Sequence, residues 1–141
     1  MKKILIINAN YYKDISKNLV LSAKKKLYNA KIKISILNVP GIYEIPYSIR
    51  KNINKFDGFV LLGCVIKGET PHFNLICNST FIAILNLSIK YNKPITNGII
   101  TALNFNQAKN RSKLSKSKKP NKGSEAADAI ISILKNGPKK N

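Results

Sequence analysis

Short apolar runs and longer amphipathic segments alternate four times along the chain, and this alternation limits the possible folds more than any other feature. The runs have the length and β-branched content of buried strands, whereas the segments between them carry apolar residues at helical spacing. The predicted strands are Lys2–Asn8, Lys31–Val39, Gly58–Ile66 and Pro94–Thr101. The predicted helices are Ile15–Asn29, Ile45–Lys55, Asn74–Tyr91 and Asn121–Lys135. Repeated strand–helix units of this kind predict a parallel sheet with helices on both faces, a three-layer α/β/α domain.

Two of the strands also have a predicted position in the sheet. The segment from Lys31 to Leu37 alternates between polar and apolar residues, which is typical of an edge strand with one solvated face. The run Gly58–Ile66 is apolar throughout and suits a central strand. We interpret residues 1–141 as a single domain that ends in a flexible tail at about 136–141.

The carboxyl ends of the strands form the predicted ligand-binding edge, because open α/β sheets bind ligands there. These ends are the segments NANYY, NVPGIYE, CVIKGETPH and TALN. The third segment holds His72, the only histidine of the chain, which we expect to lie on a loop. A lone histidine is more often an incidental surface or core residue. Its position here, together with the ability of imidazole to exchange protons near neutral pH, makes His72 the candidate proton carrier.

Lysine dominates the formal charge of +19, since only Arg50 and Arg111 among the 25 basic residues are arginines. Proteins that read base sequences rely on bidentate arginine contacts, so the composition favours solvated lysines over nucleic-acid recognition. The densest basic tract, Lys116–Lys122, is suited to attract a phosphorylated small molecule. A basic nucleic-acid-binding protein and a non-catalytic ligand-binding module stay open as alternatives to an enzyme.

The two cysteines, Cys64 and Cys77, match neither a redox CxxC motif nor a zinc-binding pattern. We expect buried, reduced thiols in a cytoplasmic protein. The apolar run Ile4–Ile7 is shorter than the roughly 7–15 residues of an export signal, and no window approaches the roughly 18 continuous apolar residues of a membrane span. No GxxxxGK[ST] or GxGxxG motif occurs, so we expect no nucleotide cofactor.

Six segments, in a fixed order and spread over nearly the whole chain, give it a resemblance to a known family. They are LIINANYYKDI, VPGIYEIP, GCVIKGETPHF, PITNGIIT, NQAKNR and NKGSEAA. On these segments the chain resembles the 6,7-dimethyl-8-ribityllumazine synthases of riboflavin biosynthesis, which implies a flavodoxin-like, four-stranded parallel sheet. The implied reaction condenses 5-amino-6-(D-ribitylamino)uracil with 3,4-dihydroxy-2-butanone 4-phosphate and releases phosphate. It needs no metal and no other cofactor.

The resemblance also implies roles for individual residues, with His72 as the catalytic one. The residues expected to bind the ribitylaminouracil are Tyr11, Ile42, Tyr43, Glu44, Cys64, Val65, Ile66 and Asn97. Those expected to bind the butanone phosphate are Gly68, Glu69, Thr70, Arg111 and Lys122. The backbone is expected to make the contacts at 64–66 and at Glu69, so Cys64 is not a predicted nucleophile. The chain departs from the family pattern at Tyr11, usually phenylalanine, at Asn97, often aromatic, and in the longer, lysine-rich segment 112–122.

An assembly of several subunits is a further implication of the resemblance. It implies a homo-oligomer, a pentamer or a multiple of one, with the active site between subunits and an association with riboflavin synthase. Tyr11, Glu44 and His72 are expected from one subunit, and Asn97 and Arg111 from its neighbour. The helices that begin at Asn74 and Asn121 carry more apolar surface than one small sheet covers, which also favours association. The expected partners are therefore small-molecule substrates and further copies of the chain, and neither a membrane nor nucleic acid.

Overall fold

Four parallel strands form a single sheet in the computed structural model, which describes residues 1–114, 120–136 and 138. The strands are β1 (Lys3–Ala9), β2 (Lys33–Val39), β3 (Gly58–Ile66) and β4 (Ile95–Ala102). Their spatial order is β2-β1-β3-β4, and every neighbouring pair is parallel. The two predicted positions are confirmed, because β2 lies at an edge of the sheet and β3 lies in its interior.

Helices cover both faces of this sheet. They are α1 (Lys13–Asn29), α2 (Ile45–Asn52), α3 (His72–Tyr91), α4 (Phe105–Arg111) and α5 (Lys122–Lys135), and a short 3₁₀ helix, Ile42–Glu44, precedes α2. Helices α1, α4 and α5 share one apolar core with the sheet, and the 3₁₀ helix, α2 and α3 share the other. The three-layer, flavodoxin-like α/β/α fold is thus confirmed.

The two cores follow from the period-two geometry of the strands, which sends successive side chains to opposite faces. In β1, Ile4 and Ile6 contact the core with α1, while Leu5 and Ile7 contact the core with α2. Strand β3 is apolar at consecutive positions because both of its faces are covered in this way. Its residues Phe59 to Leu62 are all fully buried.

Two local features differ from the sequence-based expectation. His72 is the first residue of α3 and does not lie on a loop, because Pro71 occupies the position just before the helix. Proline suits a helix start, where its missing N–H leaves no hydrogen bond unmade. Helix α4 was not predicted, since its seven residues bury only Ala108. Its start is set by Asn104, whose side chain accepts a hydrogen bond from the backbone N–H of Gln107 at 2.9 Å.

Helix α3 is unusually apolar for a surface helix. Within the described part of the chain it is the one helix long and apolar enough, by length and composition alone, to cross a membrane. The expectation that no window approaches roughly 18 continuous apolar residues is not contradicted, because polar residues such as Asn78, Ser79 and Asn86 interrupt this helix. The side chains of Cys77, Thr80 and Ile84 are nevertheless buried within the domain, so one side of the helix packs on the protein itself.

Parts of two predicted segments lie outside the described residues. Residues 115–119 of the lysine-rich segment belong to this group, as do residue 137 and residues 139–141 of the predicted flexible tail.

Candidate active site

A cavity of about 580 Å³ opens at the carboxyl ends of β1 and β3. Its wall is formed by Tyr11, Tyr12, Gly41, Ile42, Tyr43, Cys64, Val65, Ile66, His72 and Ile76. Seven of these ten residues were predicted as site residues from the sequence. The cavity lies where the topology of a parallel sheet places ligands, because loops from several strands converge at this edge.

The end of β3 forms the base of the cavity. Cys64 is 7% exposed, whereas Val65 and Ile66 are half-buried and border the open space. Pairing of Val65 with Thr101 and of Ile66 with Ala102 keeps this strand end extended. The backbone N–H of Lys67 then donates to the carbonyl of Ala102 at 2.9 Å, which anchors the start of the next loop.

The turn after β2 contributes the second wall. Ile42 is buried, while the Tyr43 ring is 68% exposed at the rim. Glu44 is half-buried and does not border the cavity directly. Its Oε1 atom nevertheless lies 3.4 Å from the place that a Cβ would occupy on Gly41, which does border the cavity. The Glu44 carboxylate is thus at the margin of the site.

His72 forms a third part of the wall, from the first turn of α3. Its side chain is exposed, and the backbone N–H of Leu75 donates to the Pro71 carbonyl at 3.1 Å to close that turn. A helix holds this imidazole more rigidly than the expected loop would. The structure therefore brings Tyr11, the end of β3 and His72 together around one space.

The loop predicted to bind phosphate lies outside the cavity. Gly68, Glu69 and Thr70 are exposed and do not border it. A Cβ added to Gly68 would contact nothing within 4 Å, so the protein's own packing does not require glycine there. That this loop binds the butanone phosphate stays a prediction.

Arg111 and Lys122 are held together elsewhere, by a residue that the sequence reasoning missed. The Nη2 group of Arg111 donates to both carboxylate oxygens of Glu125, at 3.4 and 3.3 Å. Lys122 Nζ lies 3.7 Å from the same carboxylate. The Nε–H of Arg111 is buried and has no partner among the described residues. An arriving anion would therefore meet two cations already neutralised in part by Glu125.

Helix packing explains why Arg111, Lys122 and Glu125 are neighbours. Gly123 lies so close to α1 that an added Cβ would come within 2.4 Å of the Leu19 carbonyl oxygen. Asn121 caps α5 by accepting a hydrogen bond from Ser124 N–H at 3.1 Å, and its Nδ2 donates to the Lys113 carbonyl at 3.2 Å. These contacts hold the end of α4 against the start of α5.

Asn97 also lies away from the cavity, in the edge strand β4. Its Oδ1 accepts a hydrogen bond from the backbone N–H of Ile99 at 2.9 Å. The side chain is exposed, so it is available to a neighbouring molecule. Within one chain, Asn97 and Arg111 do not join the residues around His72.

Both cysteines are free and buried, as expected from the sequence. Burial raises the pKa of the Cys64 thiol to about 12, and burial also raises the pKa of Cys77. The thiolate is the reactive form of cysteine. Cys64 is therefore an inert part of the cavity wall near neutral pH, which agrees with the expectation that it is no nucleophile.

A thiol-labelling experiment tests this assignment. We expect the native protein to resist labelling at pH 8, and both thiols to react once the chain is unfolded. The single variant Cys77→Ser will assign the two signals. Rapid labelling of Cys64 in the native protein would contradict the assignment.

The raised pKa of Cys64 also predicts how the stability of the fold depends on pH. The folded chain keeps the Cys64 proton that an unfolded chain releases near the ordinary pKa of 9.0. The free energy of unfolding is therefore expected to fall as the pH rises from about 9 towards 12.

Comparison of this sequence with known proteins identifies the family of the chain. The chain matches the family model of 6,7-dimethyl-8-ribityllumazine synthase over residues 1–136. A protein of that name from Vesicomyosocius okutanii is 41% identical over 143 residues, which cover 94% of this chain and 84% of the relative. Proteins of the same name from Bartonella tribocorum and Methylorubrum populi are 37% and 35% identical; each match covers 94% of this chain, with 89% and 80% of the relative. The chain therefore belongs to the 6,7-dimethyl-8-ribityllumazine synthase family.

Proposed function

We propose that the protein condenses 5-amino-6-(D-ribitylamino)uracil with 3,4-dihydroxy-2-butanone 4-phosphate to form 6,7-dimethyl-8-ribityllumazine and release phosphate. The observation that carries the proposal is the cavity that joins Tyr11, the end of β3 and His72 in a member of this family. The steps are formation of a Schiff base, elimination of phosphate and closure of the second ring. Each of them moves protons, and none requires this chain to supply a redox group.

The cavity offers a suitable surface for a flat pyrimidine. The exposed ring of Tyr11 is available for stacking, and the half-buried residues Val65 and Ile66 would offer backbone polar groups to the edge of the pyrimidine. Ile42, Tyr43 and the neighbouring Glu44 carboxylate lie on the side where the ribityl hydroxyl groups would bind. Cys64 contributes packing at the base.

His72 is the proposed proton carrier in this arrangement. A positioned imidazole accelerates proton transfer because it gives and accepts protons near neutral pH. It borders the cavity from a helix whose first turn is hydrogen-bonded, so its backbone position is well defined. This rigidity favours a single productive geometry over a mobile one.

A homo-oligomer, a pentamer or a multiple of one, is part of the proposal. Four apolar side chains of α3, Leu75, Ile82, Leu85 and Ile89, recur on one side of the helix and are each at least 61% exposed. Monomeric proteins rarely expose so many large apolar side chains on one side of a helix, so burial of this side against another copy is favoured. Asn97 and Arg111 would then complete the cavity of a neighbouring subunit, which explains why they lie apart from His72 within one chain.

The direct test mixes the purified protein with both substrates and follows the fluorescence of the lumazine product. The substrates without protein give the background rate. We expect a rate that is proportional to protein concentration and saturates with both substrates. If either alternative function held, the rate would equal the background: a binding module would bind without turnover, and a nucleic-acid-binding protein would instead show steeply salt-dependent affinity for DNA or RNA.

Arg111 is the proposed phosphate ligand, and its removal should affect one substrate selectively. We expect Arg111→Ala to raise the KM for the butanone phosphate by roughly 10- to 100-fold, because a charge-assisted hydrogen bond is lost. The KM for the ribitylaminouracil should change little. Steady-state kinetics with each substrate varied in turn measures both values.

The matched control is Lys109→Ala, an exposed basic residue of the same helix that loses the same formal charge. We expect the control to leave both KM values unchanged, since a surface charge acts weakly and is screened by salt. Equal effects of Arg111→Ala on both substrates would count against a phosphate contact.

Two further assignments stay predictions. A cytoplasmic location is supported by the two free, buried thiols, which suit a reducing compartment. Association with riboflavin synthase rests on the family resemblance.

A further inference from the structure

The Tyr12 side chain has no capping role at the start of α1. Tyr12 is the N-cap residue of this helix, yet its side chain makes no capping hydrogen bond. Helices α4 and α5 begin with Asn104 and Asn121, whose side chains do cap them, at 2.9 and 3.1 Å. Serine, threonine, aspartate and asparagine are strongly preferred at this position. Since Glu44 and Pro71 at the starts of α2 and α3 also make no capping hydrogen bond, the missing cap by itself assigns no role to Tyr12, and the surroundings of its side chain decide.

The Tyr12 side chain lies between the cavity and the apolar core. Tyr12 borders the cavity, is half-buried and packs on the core between the sheet and α1. Its ring stands edge-on to the Tyr11 ring, with 5.0 Å between the ring centres and an angle of 81°. The Tyr11 ring is thus exposed for stacking, whereas the Tyr12 ring packs on the apolar core.

The phenol group of Tyr12 lies in a region that disfavours negative charge. Burial is the main cause that raises the pKa of Tyr12, and the neighbouring Cys64 and Tyr11 raise it further. The hydroxyl therefore stays protonated and is a hydrogen-bond donor under ordinary conditions. No hydrogen bond from this hydroxyl is found among the described residues, so its donor is free for a molecule in the cavity.

We propose that Tyr12 is a specificity-determining residue, whose hydroxyl donates a hydrogen bond to an acceptor on the ring of the pyrimidine substrate beside the end of β3. This inference rests on the proposed function. The backbone at Val65 and Ile66 presents groups to one edge of a planar ligand, and Tyr12 adds a side-chain donor next to Cys64. Recognition by a side-chain donor penalises any ring that lacks the matching acceptor, because a hydroxyl covered by the bound ring is then left unpaired.

The variant Tyr12→Phe separates this role from support of Tyr11, since it keeps the ring and removes only the hydroxyl. We expect the KM for the ribitylaminouracil to rise roughly three- to tenfold, with the KM for the butanone phosphate unchanged. Tyr28→Phe, which removes the hydroxyl of an exposed tyrosine near the other end of α1, should change neither value. A residue that merely packed would leave the kinetics of Tyr12→Phe equal to those of the unaltered protein, and this result would overturn the proposal.

A binding experiment distinguishes failure of the Tyr12 assignment from failure of the proposed catalytic function. The lumazine product is titrated by its own fluorescence against the unaltered protein and against Tyr12→Phe. If the unaltered protein makes no lumazine yet binds it more tightly than Tyr12→Phe does, the catalytic proposal fails and the Tyr12 assignment stands. If turnover is present but both proteins have the same KM and the same affinity, the Tyr12 assignment alone fails. If the unaltered protein neither turns over nor binds lumazine, both are wrong.

Discussion

The His72→Asn enzyme should turn over roughly 10²–10⁴-fold more slowly than the unaltered protein, with little change in either KM. Asparagine has similar size and can still form hydrogen bonds, but it cannot exchange a proton near neutral pH. The loss should therefore appear in kcat, because the cavity wall that binds the substrates stays intact. Residual activity is expected to persist, since this condensation can proceed without a catalyst.

The control for this variant lies in the same turn of α3. Asn74 is exposed and does not border the cavity, so Asn74→Ala should keep the full rate. Far-UV circular dichroism and thermal unfolding should show that both variants retain the fold. A kcat of His72→Asn equal to that of the unaltered protein would remove His72 from the mechanism.

Mixing two impaired variants should restore activity if the site is shared between subunits. His72→Ala chains carry an intact Arg111, and Arg111→Ala chains carry an intact His72. After co-expression in equal amounts, about a quarter of the sites in a closed ring would combine both intact residues. Measured at low butanone phosphate, where each variant alone is weak, the mixture should therefore approach a quarter of the normal rate.

Co-assembly must be demonstrated for this result to have meaning. Distinct affinity tags on the two variants allow mixed assemblies to be isolated, and sedimentation gives their mass. The matched control mixes two preparations of His72→Ala, which should show no gain. If mixed assemblies form but stay as weak as their components, Arg111 does not complete the site of a neighbour, and the shared site is wrong.

The layers of the fold and the positions of two strands in the sheet were readable from the sequence because they depend on patterns repeated over many residues. A fully apolar segment such as Gly58–Ile66 is stable only with both faces covered, and it proved to be the interior strand β3. The short helix α4 escaped notice because a helix that buries one residue, Ala108, has no apolar period. Its capping residue, Asn104, was the available signal.

For the site, sequence motifs identified the residues that surround the cavity but not the contacts among them. Tyr11, Ile42 and His72 border one cavity as expected, because the ends of parallel strands meet at one edge whatever the details of packing. Motifs could not reveal that Tyr12 supports Tyr11, since two adjacent tyrosines in a sequence do not specify the angle between their rings.

The sequence by itself determined the architecture, the edge of the sheet at which the cavity lies and the chain's one histidine. Each of these depends on residue type and local period. Only the tertiary structure decided that Glu125 holds both Arg111 and Lys122, and that Asn97 and Arg111 lie apart from His72. Such relations depend on close helix packing, as at Gly123 against Leu19, which joins segments far apart in the chain and leaves no periodic trace in it.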